Sequence, residues 1–322
     1  MFTLAHLSDP HVPSPLRVGV SALATKRALG YWSWRRRRVY IHSIDVLEAL
    51  TRDLAETVPD HVAVTGDLVN ISLPSEFAAA ARWLETLGGG ERVSIVPGNH
   101  DAYVAVPLEQ SWDLWRAYMA SDGPGDPATA PAASGPIPFP YVRRRGRIAI
   151  VGLCTAVPTP PGWASGRLGR DQLERLGGVL AAFGDAGMFR VVLLHHPPIE
   201  GDNPLRKRLT DAADLQRVIA RHGAELLLHG HDHRCSIRAM AGPAGGVPAV
   251  GVPSASASVA KTKPIGQYNL YDISPSPRGW SIDLRVRRYD ATLGRFQEAG
   301  GQRVAPQPAD GATMDARVTA DA

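Results

Sequence analysis

The sequence contains very little cysteine and has no long run of apolar residues. Its two cysteines, Cys154 and Cys235, are too few for a disulfide framework, and we interpret both as reduced thiols of an intracellular protein. Cys235 follows His233 by two residues, but a single cysteine lacks the partner spacing of a thiolate zinc site. No stretch approaches the ~20 apolar residues that a bilayer-spanning helix requires.

The N-terminus lacks the features of a secretory signal. Residues 1–7 contain neither a basic region nor a long apolar region, and they lead directly into a polar motif. We therefore expect no cleaved signal peptide and predict a cytoplasmic protein, with peripheral membrane attachment as an open alternative. The net charge of +4 favours anionic partners in general but falls short of a dedicated nucleic-acid binder.

Short apolar runs alternate with helical patterns in the first part of the chain. Runs rich in Val, Ile and Leu predict buried strands at 2–7, 62–65, 93–96, 148–153, 191–194 and 226–228. Apolar residues recurring every three or four positions predict helices at 41–57, 75–87, 171–183 and 211–222. This alternation is typical of an α/β layered fold. Three later runs, 247–252, 267–273 and 280–289, follow one another without helices, and we expect them to form a second sheet packed on the first.

The composition predicts one folded domain followed by a tail. An apolar content of 44% is enough to bury a sizeable core, and we assign residues 1–300 to a single domain. Residues 301–322 are mostly Gly, Ala, Pro, Asp and Gln, which predicts a disordered tail. The Pro- and Gly-rich stretch 122–140 predicts a surface loop.

Five short polar motifs each follow a predicted strand. They are Asp9-Pro10-His11, Gly66-Asp67-Leu68-Val69-Asn70, Gly98-Asn99-His100-Asp101, His195-His196-Pro197-Pro198 and Gly230-His231-Asp232-His233. Side chains at strand ends leave the same edge of a sheet, so motifs far apart in sequence can converge on one site. Their mixture of imidazole, carboxylate and amide donors suits divalent Mn, Fe, Zn, Co or Ni. The motifs predict a metal-dependent hydrolase.

The spacing within the motifs agrees with a site for two metals. Asp9 and His11 occupy alternate positions of extended backbone, so both side chains can face one way, and His231 and His233 repeat this spacing. Two cations ~3.5–4 Å apart need a carboxylate between them. Asp67 is the best candidate, because one carboxylate can give an oxygen to each metal. Gly66 and Gly230 give the backbone room to turn and to approach.

In this order the five motifs resemble those of the calcineurin-like metallophosphoesterase superfamily, over roughly residues 1–255. The resemblance implies a four-layer α/β/β/α sandwich of two mixed sheets flanked by helices, with a dinuclear site at strand ends. It implies that the first metal is held by Asp9, His11, Asp67 and His233, and the second by Asp67, Asn99, His195 and His231. His100 would stabilise the transition state or protonate the leaving oxygen, and Asp101 would help to orient His100. His196 would face the pocket or the loop, and Asn70 would not be a ligand.

The implied reaction is hydrolysis of a phosphoric ester, and we favour a phosphodiesterase in which a metal-bridging hydroxide attacks phosphorus in line. The substrate stays open, because cyclic nucleotides, glycerophosphodiesters, nucleotide-sugar pyrophosphates and DNA ends are all cut by relatives of this fold. One alternative is a membrane-near hydrolase of a lipid-linked pyrophosphate or phosphodiester. Another is a non-catalytic scaffold, although scaffolds tend to lose ligand positions and all seven are present here. A zinc protease would require a His-Glu-x-x-His helix, which the sequence lacks.

A basic, aromatic insertion over 13–40 follows the first motif. It contains Trp32, Trp34, Arg35, Arg36, Arg37 and Arg38. A charge run is usually a solvated face, and a plain packed helix is one interpretation. The alternatives are a cap over the site or an anionic membrane contact, with Trp at the interface and Arg on phosphate. Nucleic acid or a partner protein could also contact such a surface, although we argue against nucleic acid. The oligomeric state stays open.

Five other histidines receive no function. We expect His6 and His229, on predicted strands, to lie in the core. We expect His42, His61 and His222 to be surface or helix-end residues.

Overall fold

The computed structural model describes residues 1–13, 18–19, 23, 25–123, 135–201, 203–258, 264–277 and 279–304. Parts of the predicted insertion (13–40) and loop (122–140), and residues 305–322 of the predicted tail, lie outside these ranges. The helices are α1 (Arg27–Arg36), α2 (Ile44–Thr57), α3 (Pro74–Leu87), α4 (Arg170–Asp185) and α5 (Ala212–His222). The strands are β1 (Phe2–Leu7), β2 (His61–Val64), β3 (Val93–Ile95), β4 (Tyr141–Arg145), β5 (Ile148–Gly152), β6 (Phe189–Leu193), β7 (Leu226–His229), β8 (Ser236–Gly242), β9 (Gly245–Gly251), β10 (Gln267–Ser276), β11 (Gly279–Asp290) and β12 (Arg295–Arg303).

The strands form two mixed sheets. Sheet one has the order β12-β11-β10-β1-β2-β3, and sheet two has the order β4-β5-β6-β7-β9-β8. Strands β1, β2 and β3 run parallel in sheet one, and β5, β6, β7 and β9 run parallel in sheet two. The five predicted motifs follow β1, β2, β3, β6 and β7. The motifs therefore leave two sheets rather than one.

Helices cover the outer faces of both sheets. Along β5, Ile148 and Ile150 belong to the core shared with sheet one, whereas Ala149 and Val151 pack with the apolar residues of α4 and α5. The shared core also contains the apolar faces of α2 and α3. This alternation produces four layers, and the predicted α/β/β/α sandwich of two mixed sheets is confirmed.

Local signals mark the helices that border the site. The hydroxyl of Ser43 accepts a hydrogen bond from the amide of Asp45 (3.2 Å) and caps α2. Helix α3 begins with Pro74, whose missing N–H costs nothing at that position. The carboxylate of Glu76 accepts the amide of Leu73 (2.9 Å) at the start of α3.

The late strands do not form a sheet of their own, so that expectation was wrong. Strand β9 pairs with β7 in sheet two, whereas β10 pairs with β1 and brings β11 and β12 into sheet one. Strand β1 would otherwise present an open edge, and β10 satisfies its backbone groups. The periodicity of a strand indicates its buried face but does not identify its partner.

Smaller differences concern boundaries and buried histidines. Strand β12 includes residues 301–303, which we had assigned to the tail. His42 and His61 are buried rather than exposed, whereas His6 and His229 are buried as expected. In the ranges that the structure describes, no helix is long and apolar enough to cross a membrane.

Candidate metal centre

Most of the candidate ligands have a backbone conformation that L-residues rarely adopt. Positive φ values occur at Asp9 (51°), His11 (37°), Asp67 (56°), His231 (72°) and His233 (53°). Only two other non-glycine residues in the described ranges share this conformation. Each such residue costs on the order of 1–3 kcal/mol and persists where the surrounding structure enforces it. The strain of this chain is therefore concentrated at the predicted site.

Glycines allow the motif loops to come into contact. A Cβ on Gly66 would lie 2.7 Å from the amide nitrogen of Gly98 and 2.8 Å from Nδ1 of His195. A Cβ on Gly230 would lie 2.6 Å from Oδ2 of Asp9. Any larger residue at these positions would force the loops of the two sheets apart, which explains the room expected at Gly66 and Gly230.

One group of side chains surrounds Asp9. Nε2 of His233 lies 3.0 Å from Oδ1 of Asp9, and Nε2 of His11 lies 3.9 Å from Oδ2 of Asp67. One ligand atom each from Asp9, His11 and His233 lie within 4.8 Å of one another. These atoms could hold one metal ion.

A second group lies on the other side of Asp67. Nε2 of His195 is 3.4 Å from Oδ2 of Asp67 and 3.2 Å from Oδ1 of Asn99. Nδ1 of His231 is 2.8 Å from the same oxygen of Asn99 and 3.3 Å from Nε2 of His195. The structure thus brings together all seven side chains that the sequence suggested as ligands.

The hydrogen bonds of two imidazoles fit a bound cation. Nδ1 of His11 lies 3.0 Å from the carbonyl of Val69, and Nδ1 of His195 lies 2.7 Å from the carbonyl of Thr65. A carbonyl only accepts, so each Nδ1 carries a proton and each ring turns its Nε2 towards Asp67. Lone pairs that face carboxylate oxygens repel unless a proton or a metal lies between them. Backbone acceptors that fix the tautomer in this way are typical of metal-binding histidines.

The two oxygens of Asp67 have different partners. Oδ1 accepts the amide of His100 at 2.7 Å, whereas Oδ2 faces the imidazoles of both His11 and His195. Oδ2 is therefore the oxygen of Asp67 that faces both groups. The sharing of Asp67 between two metals stays a prediction.

The pKa values of the candidate ligands reflect a shortage of positive charge around Asp9 and Asp67. Burial disfavours the imidazolium of His195, but Asp67 and Asp9 outweigh that effect and raise the pKa of His195 to about 10. Burial lowers the pKa of His11 and of His231 well below the usual value. The raised pKa of His195 reflects the negative charge of these two buried carboxylates, which a bound cation would offset.

Asp101 supports the backbone rather than the side chain of His100. Its carboxylate accepts four backbone amides, from Asp67 (2.9 Å), Leu68 (2.9 Å), Val69 (3.0 Å) and Gly98 (2.8 Å). These amides belong to two motif loops of sheet one. The expected contact that would orient His100 is not among the hydrogen bonds of Asp101 in the described ranges.

His100 lies beside the first group, with its ring centroid 5.1 Å from that of His11. Its Nδ1 donates to the carbonyl of Asn70 (2.5 Å), and Nη2 of Arg38 lies 2.8 Å from its Nε2. Tyr103 stacks parallel to the ring at 5.7 Å. Burial and the nearby Arg38 lower the pKa of His100 to about 3. The imidazole is therefore neutral near pH 7, and the positive charge on this side belongs to Arg38.

Helix α1 forms a wall next to the site. The guanidinium of Arg27 donates to the carbonyls of Ile71 (3.1 Å) and Ser72 (2.5 Å), and Lys26 donates to the carbonyl of Thr159 (2.8 Å). A Cβ on Gly30 would lie 2.7 Å from Ile71, so the helix packs closely on the loop after β2. The insertion therefore contacts the loops that carry the site.

The two faces of α1 divide the residues suggested for membrane contact. Trp34 stacks on Tyr31 at 5.9 Å and packs with the cluster around Ile71, and Arg38 turns towards His100. Trp32 is exposed, as are Arg35, Arg36 and Arg37. Trp34 and Arg38 are half-buried and therefore do not belong to an outward basic, aromatic face.

The structure also shows the surroundings of His196 and of Cys235, two residues whose part in metal binding the sequence had to weigh. His196 turns away from the ligands, with Nδ1 2.8 Å from the hydroxyl of Thr155 and Nε2 3.1 Å from the carbonyl of Ala164. It faces the loop, one of the two expected places. Sγ of Cys235 donates to Oε1 of Gln267 (3.3 Å) and is not part of either metal-ligating group.

Three residues near the site are not among the predicted ligands or catalytic residues. The ring centroid of His42 lies 4.6 Å from that of His11, and its Nδ1 lies 2.7 Å from the hydroxyl of Ser256. Glu76 accepts the amides of Asn70 (2.9 Å) and Ile71 (3.1 Å) and so shapes the loop after β2. For Arg38 the sequence left a packed helix, a cap and a membrane contact open, and the structure places its side chain against His100. The one available signal was the four-residue spacing of Arg38 and His42, which places both on one side of a turn.

Comparison with known proteins agrees with this geometry. The family model described as calcineurin-like phosphoesterase matches residues 2–235. A dimetal phosphatase from Danio rerio has a similar structure, with a TM-score of 0.58, 13% identity and coverage of 95% of this chain and 99% of that one. The sulfate thiohydrolase SoxB of Thermus thermophilus gives a TM-score of 0.50 at 20% identity, over 92% of this chain and 58% of that one.

The NAD nucleotidase of Haemophilus influenzae gives a TM-score of 0.50 at 14% identity, over 93% of this chain and 60% of its own. At these identities the structural likeness concerns the fold. No curated protein sequence matches the chain. The family match covers more than two thirds of the sequence, including all five motifs. The chain therefore belongs to the calcineurin-like phosphoesterase family and is a metal-dependent hydrolase of phosphoric esters.

Proposed function

We propose that this protein is a phosphodiesterase with two divalent metal ions. The observation that carries the proposal is the position of Oδ2 of Asp67 between the imidazoles of His11 and His195. The first metal would be held by Asp9, His11, Asp67 and His233, and the second by Asp67, Asn99, His195 and His231. The donors are imidazole nitrogens and carboxylate or amide oxygens, a set that suits Mn, Fe, Zn, Co or Ni.

Two bound cations supply an activated water for in-line attack on phosphorus and offset the charge of the phosphoryl oxygens. The chain's own residues fix the geometry. Oδ2 of Asp67 faces the imidazoles of both groups and Oδ1 accepts the amide of His100, so this carboxylate would be shared by the two cations in a fixed orientation. Asp101 holds the amides on either side of that carboxylate, and we propose a positioning role for it. We propose that His100 acts on the leaving oxygen through Nε2, because its Nδ1 donates to Asn70; donation there requires a proton on Nε2 in the substrate complex.

The wall beside His100 supports a preference for diesters. Tyr103 stacks on His100, and Nζ of Lys26 lies 4.2 Å from the ring centroid of Tyr103. These side chains offer an organic group a surface to pack against. A diester has an organic group on both sides of phosphorus, whereas a monoester has only one.

The test is a comparison of aryl esters with protein loaded with each metal in turn. We expect kcat/KM for bis(p-nitrophenyl) phosphate to exceed that for p-nitrophenyl phosphate. Asp67→Asn should lose metal and activity together, and the exposed Asp185→Asn should retain both. A preference for the monoester would overturn the diester assignment. Full metal content without hydrolysis of any ester would favour the non-catalytic scaffold.

The outward face of α1 supports a second candidate, hydrolysis of a lipid-linked substrate at an anionic membrane. In α1, Leu29 and Trp32 are 59% and 58% exposed, and Tyr40, which follows the helix, is 71% exposed. The guanidinium of Arg36 lies 4.1 Å from the ring centroid of Trp32. Aromatic and basic side chains on one face suit the headgroup region of a bilayer with anionic lipids. Peripheral attachment of a cytoplasmic protein is the location that this candidate implies.

Flotation with phosphatidylcholine vesicles, with and without phosphatidylglycerol, tests the membrane candidate. We expect binding that requires the anionic lipid, weakens with salt, and falls in Trp32→Ala and Arg36→Ala. Trp163→Ala is the matched control, because Trp163 is 41% exposed but lies outside α1. Equal partitioning of all variants, or binding to nucleic acid instead of vesicles, would contradict this candidate.

A further inference from the structure

Among the residues that the structure describes, the guanidinium of Arg38 contacts only His100, which leaves most of its donors without a partner there. Its Nη1 lies 3.0 Å from Nδ1 of His100, and its Nη2 lies 2.8 Å from Nε2. Nδ1 already donates to the carbonyl of Asn70, and a guanidinium cannot accept. The one hydrogen bond available is therefore from Nη2 to the lone pair of Nε2. An arginine can donate five.

The guanidinium also has no carboxylate partner in the part of the chain that the structure describes. Its acceptor is a neutral imidazole instead, and its neighbours Arg35, Arg36 and Arg37 are exposed to solvent. Arg38 is half-buried, and the carboxylates of Asp67, Glu76 and Asp9 favour its charged form from beyond ion-pair distance. A cation in this position beside a hydrolytic site is therefore available to an anion that arrives from outside.

The backbone of Arg38 is held firmly. Its carbonyl accepts the amides of Ile41 (2.9 Å) and His42 (3.0 Å). The carbonyl of Ile41 in turn accepts the amide of Ser258 (2.8 Å). The same loop reaches the first motif, because the hydroxyl of Ser254 donates to the carbonyl of Asp9 (2.7 Å). Arg38 is thus fixed relative to the ligands at its backbone, and only its side chain needs to move.

We propose that Arg38 binds the non-ester oxygens of the substrate's phosphoryl group, and that its contact with His100 is a resting position. A planar guanidinium matches two phosphoryl oxygens, which an ammonium cannot do in the same way. Moving from a neutral imidazole to an anion replaces one weak partner by a charged one. The inference rests on the proposed phosphoesterase function and adds the residue that recognises the phosphoryl group.

A different role would be that Arg38 only orients His100. That role predicts a loss of kcat with unchanged affinity for phosphate. The proposed role predicts weaker binding of inorganic phosphate, which has no leaving group for His100 to assist. Phosphate affinity therefore separates the two roles without relying on turnover.

The experiment is calorimetric titration of inorganic phosphate into the metal-loaded protein, together with KM and kcat for an aryl diester. We compare wild type, Arg38→Met, Arg38→Lys and the exposed Arg52→Ala on α2. We expect Arg38→Met to weaken phosphate binding and raise KM by about 10- to 100-fold, with metal content and melting temperature retained. Arg38→Lys should recover part of the affinity, and Arg52→Ala should match wild type.

Two outcomes separate this inference from the proposed function. Equal phosphate affinity in wild type and Arg38→Met, with metals in place, overturns the role of Arg38 and leaves the phosphoesterase proposal standing. Failure of the wild-type protein to bind phosphate or cleave any ester overturns both. If Arg38→Met does not fold, Arg38→Lys decides, because full wild-type affinity for phosphate would rule out a need for the planar fork.

Discussion

Nε2 of His195, at the end of a strand of sheet two, lies 3.4 Å from Oδ2 of Asp67, at the end of a strand of sheet one. Although burial opposes it, the imidazole of His195 holds the pKa of Asp67 well below its usual range. This pair spans the boundary between the sheets. Its neighbour His196 faces away, which leads to a first prediction.

His195 and His196 should respond differently to the same substitution. We expect His195→Gln to weaken metal binding at least about tenfold, because Nε2 of that ring faces Asp67 and Asn99. His196→Gln should keep two metal equivalents, since its nitrogens face Thr155 and Ala164. Elemental analysis after dialysis measures both. Metal loss in His196→Gln alone would reverse the assignment.

Asp101→Asn should act through stability before it acts on chemistry. Each oxygen of Asp101 accepts two backbone amides, so whichever oxygen the NH2 group of asparagine replaces, two of the four hydrogen bonds become repulsions. We expect a loss of about 2–3 kcal/mol in the free energy of unfolding of the metal-free protein. Urea titration measures it, with Asp185→Asn as the control. A variant of wild-type stability that has lost only turnover would assign Asp101 to the reaction.

Gly98 and Gly178 make a matched pair for alanine substitution. A Cβ on Gly98 would lie 2.5 Å from the amide nitrogen of Asp67, a backbone atom that cannot move aside cheaply. We expect Gly98→Ala to lower both melting temperature and metal content. A Cβ on Gly178 meets nothing within 4 Å, and that residue lies inside α4. Gly178→Ala should raise stability by about 0.5–1 kcal/mol. Thermal melts and metal analysis measure both effects. The prediction would be wrong if both variants behaved alike.

His61 should make the protein sensitive to mild acid, independently of the metal centre. Burial and nearby arginines lower the pKa of His61 from 6.5 to about 3. The unfolded chain therefore takes up this proton first, and stability falls as pH decreases from 6.5 towards 3. By pH 5 the loss relative to neutral pH is about 2 kcal/mol.

The matched variant for this prediction is His61→Gln. In the wild type, Nε2 of His61 lies 2.8 Å from the hydroxyl of Ser94, and the glutamine amide keeps a polar atom near that hydroxyl. Unfolding in urea with chelator present, at several pH values, gives both curves. Below pH 6.5 we expect the free energy of unfolding to fall more steeply in the wild type than in the variant. Parallel curves would show that His61 does not titrate in this way.

Much of the site could be predicted because its signals are local. The signal for Asp67 is a strand followed by Gly-Asp, and the signal for His233 is a strand followed by histidines at alternate positions. Each signal spans only a few residues and needs no knowledge of distant contacts. The layered fold followed from the same alternation. Arg38 and His42 differ, because their partners His100 and Ser256 lie 62 and 214 residues away. Only its four-residue spacing from His42 separates Arg38 from the three arginines before it.

Sheet membership was not accessible to the sequence either. The strands β9 and β10 have similar local patterns, yet one joins sheet two and the other sheet one. Their destinations depend on which interior edge each completes, which is a property of the assembled core. For the same reason the sequence indicated that the motifs converge but did not show that they come from opposite sheets.

That origin has a thermodynamic consequence. Asp9, His11, Asp67 and Asn99 follow strands of one sheet, and His195, His231 and His233 follow strands of the other. Cations bound among them would join the two layers. Metal binding would therefore stabilise the packing between the sheets, and tighter packing would in turn raise the metal affinity. A cavity introduced at Ile150, in the core that the sheets share, would weaken metal binding without altering a ligand. The interior of this protein therefore sets the metal concentration at which it becomes loaded.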